Sequence, residues 1–159
     1  MTLRIEPAQA SDCTSILRLV KALADYEKLS SEVSATAYDL ERALFGAQPK
    51  ARALLAFSDN APVGFALYFY TFSTFLGKPG LYLEDIFVEP EHRGKGIGSA
   101  LLKRIAKIAC EEQCGRVEWS VLTWNQPSID FYHRLGAVTM EDWRTFRLTG
   151  EALNALGGE

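Results

Sequence analysis

The chain has 159 residues, a length that suits one domain with one substantial core, and we expect a single domain over residues 1–159. Its formal net charge of −3 disfavours a nucleic-acid partner, because such proteins usually present a basic face. No apolar stretch approaches the ~18 residues that a membrane span requires. The first residues lack the basic and apolar segments of a secretion signal, so we expect a cytoplasmic protein with no membrane partner.

The N-terminal part of the chain predicts one strand and two helices. Residues 3–6 alternate polar and apolar side chains and predict a first strand. Apolar residues recur at helical spacing from Ile16 to Leu23, which predicts a helix that opens near Ala10. A second helix is predicted over residues 36–45, where Gly46 follows as a stop signal.

The middle of the chain changes to strand periodicity. Residues 52–57 and 63–72 are rich in aliphatic and aromatic side chains, and the turn-forming residues 58–62 separate them. These two segments predict a pair of antiparallel strands. Residues 81–88 predict a third long strand, which Pro90 stops.

The second half predicts alternating helices and strands. A helix is expected from about residue 98 to 113, and a strand over residues 116–123. A short helix over residues 126–135 is followed by a final strand over residues 143–148 and a last helical turn over residues 152–156. The predicted order is β-α-α-β-β-β-α-β-α-β, an α/β sandwich around a mixed sheet.

Three glycines alternate in the segment Arg93-Gly94-Lys95-Gly96-Ile97-Gly98, between a predicted strand and a predicted helix. Because glycine has no Cβ atom, backbone N–H groups can converge on a ligand there. The start of the helix adds free N–H donors and partial positive charge. Arg93 and Lys95 add full positive charges, so the segment predicts a pyrophosphate site.

Two common nucleotide-binding motifs do not fit this loop. The dinucleotide pattern Gly-x-Gly-x-x-Gly fails because the third glycine comes one residue early, after an antiparallel meander. The P-loop pattern fails because no lysine lies between Gly98 and Ser99. A plain glycine-rich turn is the remaining alternative, and the two flanking cations and the following helix disfavour it.

The loop matches the Arg/Gln-x-x-Gly-x-Gly/Ala signature of the GCN5-related N-acetyltransferase (GNAT) superfamily. Residues 82–88 and 124–132 resemble the corresponding segments of the diamine (spermidine/spermine) and thialysine N-acetyltransferases, and residues 13–19 and 26–27 look similar to theirs as well. The resemblance implies a GNAT-like mixed, mostly antiparallel central sheet flanked by helices. It also implies an enzyme that uses acetyl-CoA as co-substrate and forms a homodimer.

The resemblance also implies a role for individual residues. The backbone of Ile86, Phe87 and Val88 should pair with the pantetheine arm of acetyl-CoA. Asn125 should contact the pantetheine, and Tyr132 should lie near the thioester sulfur. The residues expected to hold the pyrophosphate are Arg93, Gly94, Lys95, Gly96, Ile97, Gly98 and Ser99.

The spacing of Asn125 and Tyr132 agrees with this implication. Seven residues on a helix make about two turns, so the two side chains can share a face. The alternatives are a helix N-cap for Asn125 and a core position for Tyr132. We expect Tyr132 to donate a hydrogen bond to the departing thiolate. Full proton transfer would be uphill because the reference pKa of Tyr is about 10 and that of a thiol about 8.5.

Glu84 and Asp85 are charged residues inside an otherwise apolar strand, which requires an explanation. The substrate amine begins as an ammonium ion, so a base must accept a proton before the amine attacks. We expect Glu84 to take this proton and Asp85 to help bind the cationic substrate, and the two roles can be exchanged. Because neighbours on a strand point to opposite faces, a paired dyad is not expected. A salt-bridged or exposed edge is the alternative.

Glu27 and Phe75 are further substrate-binding candidates, Glu27 by the same resemblance. A lone loop glutamate is often only solvated, and Phe75 suits the core equally well. The three cysteines, Cys13, Cys110 and Cys114, are odd in number and have no nearby histidine to complete a metal set. They predict reduced, structural thiols and no metal site.

The expected function is therefore direct acetyl transfer from acetyl-CoA to a primary amine of a small molecule. Where the diamine enzymes carry an acidic residue and a Trp, this chain has Thr71-Phe72-Ser73-Thr74-Phe75-Leu76, which weakens a polyamine assignment. Residues 149–153 look more like the thialysine enzymes. The alternatives are a noncatalytic acyl-CoA-binding or regulatory module, and an enzyme that acetylates protein or peptide amines.

Overall fold

The computed structural model describes residues 2–158, so Met1 and Glu159, the ends of the predicted domain, lie outside the described residues. The chain divides into two compact units, Met1–Ser120 and Val121–Glu159. The expectation of one domain over the whole chain stays a prediction. No helix within residues 2–158 combines the length and the apolar character needed to cross a bilayer.

The first unit is built on a five-stranded sheet with the strand order β1-β2-β3-β4-β5. Three neighbouring pairs are antiparallel, and the pairing of β4 with β5 is parallel. This confirms the predicted mixed, mostly antiparallel sheet. The strands are β1 (Leu3–Pro7), β2 (Arg52–Ser58), β3 (Ala61–Ser73), β4 (Lys78–Val88) and β5 (Val117–Trp119).

Three α-helices belong to this unit: α1 (Cys13–Tyr26), α2 (Ala37–Phe45) and α3 (Ile97–Glu111). Local sequence explains where α2 begins. The Thr36 side chain accepts a hydrogen bond from the Asp39 backbone N–H at 3.1 Å, and the Asp39 carboxylate accepts one from the Thr36 N–H at 2.8 Å. This reciprocal cap satisfies two N–H groups that the first turn of a helix leaves unpaired.

Different helices cover the two faces of the sheet. Ile16 and Leu19 of α1 pack with Leu55, Phe65 and Phe87 of the sheet in one apolar cluster. On β3 and β4, the residues next to Phe65 and Phe87 point to the other face of the sheet, and α3 contacts both strands. The residues that α3 buries are Ile97, Leu101, Leu102, Ile105 and Ala109.

A β-bulge interrupts the alternation of β4 at Glu84. Leu67 of β3 lies opposite Asp85, whereas the next residue, Tyr68, lies opposite Leu83, so Glu84 is an extra residue without a partner on β3. Side chains directly opposite each other share a face of the sheet. Asp85 therefore lies on the α1 face with Leu67. The expectation that Glu84 and Asp85 point to opposite faces assumes a regular strand, and the bulge interrupts that regularity between them.

The second unit contains α4 (Gln126–Arg134) and α5 (Gly150–Gly157). The predicted last helical turn is confirmed and is longer than expected. The predicted final strand over residues 143–148 is wrong. Its alternating sequence suits a strand, but a strand requires a paired backbone ladder, and no described strand pairs with these residues. Trp143 and Phe146 are accordingly 76% and 92% exposed.

Strand β5 is also shorter than the predicted strand over residues 116–123. Its three residues, from Val117 to Trp119, pair with Leu81 to Leu83 of β4. Strand geometry ends where the ladder ends, because backbone hydrogen bonding defines the element. The observed order is therefore β-α-α-β-β-β-α-β-α-α.

Candidate active site

The glycine loop lies between the end of β4 and the start of α3. A single 3₁₀ turn, Pro90–His92, leads into it, and α3 begins directly after Gly96. Gly94 and Gly96 have φ angles of 75° and 81°, in the left-handed region that favours glycine. An added Cβ atom at either position would meet nothing within 4 Å. The backbone conformation therefore requires these glycines, and the space above them is open to a ligand.

The N-terminus of α3 supplies hydrogen-bond donors at the same place. The first N–H groups of a helix have no acceptor within it, and Gly96 offers no capping side chain. These groups belong to Ile97, Gly98 and Ser99. The 15-residue helix adds partial positive charge, and the exposed Lys95 adds a full one. Donors and charge together match the requirements of an anionic phosphate group.

The Arg93 side chain folds back onto the protein. Its Nε donates a hydrogen bond to the Val88 carbonyl oxygen at 2.8 Å. Its guanidinium carbon lies 4.7 Å from the Tyr26 ring centroid and 5.3 Å from that of Phe87. We call these four residues the Arg93 clamp. The clamp fixes the start of the loop to the end of β4 and to the last residue of α1.

The Asp85 carboxyl, on the α1 face, is affected by burial and by two other acids of the first unit. Burial, together with the negative charges of Glu84 and Glu27, raises the pKa of Asp85 from its ordinary value of 3.8 to about 6. Burial also raises the pKa of Glu27, which directly follows α1. The two charges that act on its pKa, those of Glu84 and Glu27, are both negative. Asp85 is half-buried, whereas Glu84 is exposed.

The predicted pantetheine contacts lie along the last residues of β4. Strand β5 pairs with β4 only at Leu81–Leu83, so within the described sheet no strand pairs with the other edge of Ile86, Phe87 and Val88. An unpaired strand edge can bind an extended chain that carries amide groups. The geometry of the first unit is thus compatible with the role expected for these three residues.

The second unit holds Asn125 and Tyr132. The Asn125 Oδ1 accepts a hydrogen bond from the Ser128 N–H at 3.4 Å, so Asn125 caps α4 and is buried. Tyr132 is half-buried on α4, with its ring centroid 5.8 Å from that of Phe131. Asn125 therefore makes the helix N-cap that was its alternative role. The contacts of Asn125 and Tyr132 with acetyl-CoA stay predictions.

Phe75 lies beyond the end of β4 that is opposite to Asp85. It is fully exposed in the turn that joins β3 to β4, whereas Asp85 is near the opposite end of β4. Seven residue steps of β4 separate Lys78, where the strand begins, from Asp85, and at about 3.3 Å per residue they span roughly 23 Å. Glu27 is near enough for its charge to raise the pKa of Asp85, whereas Phe75 lies away from Asp85 within this chain.

Two features of the site were missed in the sequence. Tyr26 was not identified as a partner of Arg93, because the two are distant in sequence and no local pattern links them. The bulge at Glu84 was also missed, although charged residues within an apolar strand were a signal of an irregular position.

No group of three or more His, Cys, Asp or Glu side chains suited to a metal ion occurs within residues 2–158.

Comparison with known proteins agrees with this geometry. The profile of the Acetyltransferase (GNAT) family matches residues 17–137. The chain is 40% identical over 166 residues to the thialysine N-epsilon-acetyltransferase of Bos taurus, which covers 98% of this chain and 97% of the relative. It is 46% identical over 99 residues to the L-ornithine N5-acetyltransferase of Arabidopsis thaliana, covering 62% and 43% of the two chains.

A solved structure shows the same fold. The integron cassette protein from the mobile metagenome of V. cholerae superposes with a TM-score of 0.83 at 27% identity, covering 100% of this chain and 99% of the other. The fold and the family match thus identify an N-acetyltransferase. The chain belongs to the GNAT family of acetyltransferases, whose co-substrate is acetyl-CoA. The resemblance predicted from the sequence is confirmed.

The raised pKa of Asp85 predicts a pH-dependent effect on stability. The ordinary value is 3.8 and the folded value about 6, so folding disfavours the ionised carboxyl and stability falls as pH rises between these values. Asp85→Asn should therefore raise the free energy of unfolding by about 1 to 3 kcal/mol at about pH 7.5. The gain should vanish below about pH 4. Urea unfolding over this pH range measures it.

Glu41→Gln is the matched control for this measurement, because Glu41 is an exposed carboxylate on α2. It should show no such pH-dependent gain. A gain for Asp85→Asn of equal size at every pH would contradict the assignment, because ionisation of the carboxyl would then not be its cause.

Proposed function

We propose that this enzyme transfers the acetyl group of acetyl-CoA directly to a primary amine of a small molecule, with both substrates bound at once. The observation that carries the proposal is the presence in one unit of a loop suited to a pyrophosphate and of the carboxylates Asp85 and Glu27. Neighbouring negative charges favour a cationic acceptor. The relatives named for thialysine and ornithine indicate an amine on an amino-acid side chain.

The donor is expected to follow the surface of the first unit. Its pyrophosphate would accept hydrogen bonds from the backbone N–H groups of residues 94–99, and its pantetheine arm would extend along Ile86–Val88. A backbone N–H near Phe87 or Val88 would stabilise the oxyanion that forms on the thioester carbonyl. Asn125 would contact the pantetheine, in addition to capping α4.

The acceptor must lose a proton before it attacks. An alkyl ammonium has a pKa near 10.4, so only about one molecule in a few thousand is neutral at pH 7. One of the two carboxylates at the β4 bulge, Glu84 or Asp85, would accept this proton. Glu27 and the other carboxylate would attract the cation and hold it beside the thioester.

Tyr132 is proposed to donate a hydrogen bond to the sulfur as the C–S bond breaks. Tyr132→Phe should lower kcat by roughly 10- to 100-fold, because a hydrogen bond to a charged group contributes about 1.5–3 kcal/mol, and should change the KM for acetyl-CoA much less. Steady-state kinetics test this. Tyr38→Phe, at an exposed tyrosine on α2, is the matched control. A wild-type kcat in Tyr132→Phe would remove Tyr132 from the mechanism.

The Arg93 clamp predicts that the shape of this side chain matters as well as its charge. Arg93→Lys keeps the charge but loses the planar contacts with Tyr26 and Phe87. The Kd for acetyl-CoA should rise about tenfold, which corresponds to about 1.4 kcal/mol. Isothermal titration calorimetry measures it. Lys95→Gln is the comparison, since its exposed charge should contribute a smaller, salt-dependent amount. Wild-type affinity in Arg93→Lys would show that the loop does not depend on the clamp.

The acceptor is identified by measuring the release of coenzyme A with a panel of amines. The panel contains thialysine, lysine, ornithine, putrescine, spermidine and a lysine-containing peptide. We expect the amino-acid amines to be acetylated faster than spermidine, because residues 71–76 lack an acidic group for a second distant cation. Turnover of the peptide alone would favour a protein acetyltransferase. Binding of acetyl-CoA without turnover of any amine would favour a noncatalytic module.

Two further parts of the proposal come from the sequence. A homodimer is proposed from the family resemblance, and sedimentation analysis of the purified chain tests it. A cytoplasmic location also stays a prediction, which fractionation of the source cells tests.

A further inference from the structure

The β4 bulge places Asp85 on the same face of the sheet as Tyr82. Asp85 lies opposite Leu67 of β3. Tyr82 lies opposite Phe69, which is two residues after Leu67 and points to the same face. In a regular strand Asp85 and Tyr82, three residues apart, would point to opposite faces. The bulge therefore creates one continuous surface that runs from Asp85 towards the start of β4.

Two aromatic rings form the middle of this surface. The ring centroids of Phe69 and Tyr82 lie 5.1 Å apart, with an angle of 31° between the ring planes. A hydrogen bond of 2.8 Å joins the hydroxyl groups of Tyr82 and Ser120 and fixes the Tyr82 ring. Both rings are half-buried, so part of each is open to solvent. We call these two rings the aromatic floor, and it suits contact with an aliphatic chain.

An ion pair lies on the neighbouring strand beside the aromatic floor. Glu118 of β5 is in register with Tyr82, so their side chains share a face of the sheet. The Arg116 Nε lies 3.0 Å from the Glu118 Oε1. The Arg116 Cγ lies 3.6 Å from the place that a Cβ atom of Gly80 would occupy. Gly80 is two residues before Tyr82, so the Arg116 side chain is on this face as well.

The exposure of this ion pair leaves both charges accessible to a ligand. The side chains of Arg116 and Glu118 are 49% and 39% exposed, and an exposed pair of this kind contributes little to stability. A cation beside an anion is complementary to the α-carboxylate and α-ammonium groups of a free amino acid. A guanidinium binds a carboxylate through directed, charge-assisted hydrogen bonds, and a glutamate accepts them from an ammonium.

We propose that the Arg116–Glu118 ion pair binds the α-carboxylate and the α-ammonium of the acceptor, and that the acceptor's methylene chain lies over the aromatic floor. This inference rests on the proposed function and names its substrate class, a free α-amino acid with an amine at the end of its side chain. The reacting amine is then held at the carboxylates of the β4 bulge. Arg116 and Glu118 determine specificity and take no part in the chemical step.

The length of such an amino acid fits the spacing on the sheet. Glu118 lies level with Tyr82, which is three residues from Asp85, and Arg116 lies beside Gly80, which is five. At about 3.3 Å per residue, these levels are roughly 10 and 16 Å from Asp85. Six bonds join the side-chain nitrogen of lysine to its carboxylate carbon, roughly 7 to 8 Å when extended. A hydrogen bond of about 2.9 Å at each end brings the span to about 13 Å, between the two levels.

The test measures kcat/KM, from the release of coenzyme A, with three acceptors that share one side-chain amine. They are lysine, cadaverine, which lacks the α-carboxylate, and 6-aminohexanoate, which lacks the α-ammonium. The wild type should use lysine at least about tenfold better than cadaverine, because cadaverine offers no anion to the Arg116 guanidinium. If ornithine is the faster amino acid, putrescine and 5-aminopentanoate replace the two analogues.

Two variants separate the roles of the two charges. Arg116→Gln should lower the ratio of kcat/KM for lysine to that for cadaverine about tenfold, because only lysine loses a partner for its carboxylate. Glu118→Gln should lower the ratio for lysine to 6-aminohexanoate about tenfold, because only lysine loses a partner for its α-ammonium. A merely structural role of either residue would lower kcat/KM for all three acceptors alike and leave the ratios unchanged.

Glu6→Gln is the matched control. Arg4 and Glu6 form an ion pair of 2.7 Å with the same two-residue spacing, on β1 at the other edge of the sheet. Its loss should leave both ratios at their wild-type values. The Kd for acetyl-CoA, measured by calorimetry, should match that of the wild type in all three variants, which shows that they are folded.

An unchanged ratio in Arg116→Gln or in Glu118→Gln would overturn the role of that residue. A wild type that uses cadaverine as well as lysine would overturn the whole inference, while the turnover itself would leave the proposed acetyl transfer in place. Absence of wild-type turnover with every amine would instead refute the proposed function, and this inference with it, so the two failures are distinguishable.

Discussion

The extra residue in β4 is the constraint on which the candidate site depends. Because Glu84 has no partner on β3, the strand changes face between Leu83 and Asp85. Leu83 remains in the core beneath α3, while Asp85 and Phe87 lie on the face covered by α1. Without the bulge, a regular strand would place Asp85 on the same face as Leu83. Asp85 and the core residue Leu83 therefore lie on the same strand but on different faces of the sheet.

The Arg93 clamp connects this acidic site with the glycine loop. The loop needs left-handed glycines and a free helix N-terminus, and both are local properties of residues 94–99. Its position relative to Asp85 and Glu27 depends instead on one arginine that contacts the ends of α1 and β4. The glycine loop is thus joined to the ends of α1 and β4 by packing and by one hydrogen bond.

The helices and long strands were predictable because their signals are local. The stripe containing Ile16, the capping box at Thr36 and the apolar strands each follow from side-chain spacing. The final strand over residues 143–148 was predicted wrongly. Its alternating side chains suit a strand, but alternation does not supply a neighbouring strand to pair with. Trp143 and Phe146 remain exposed for that reason. The exposed position of Phe75 depends likewise on where the β3–β4 turn lies.

The sequence by itself determined the family, the class of reaction and the loop that suits the donor, since these rest on contiguous residues and on backbone geometry that glycine alone favours. Only the tertiary structure decided which carboxylate is buried, where Arg93 points and how Glu27 comes near Asp85. These properties depend on the register between β3 and β4 and on the packing of α1. Such contacts join residues far apart in the chain, so no local pattern records them.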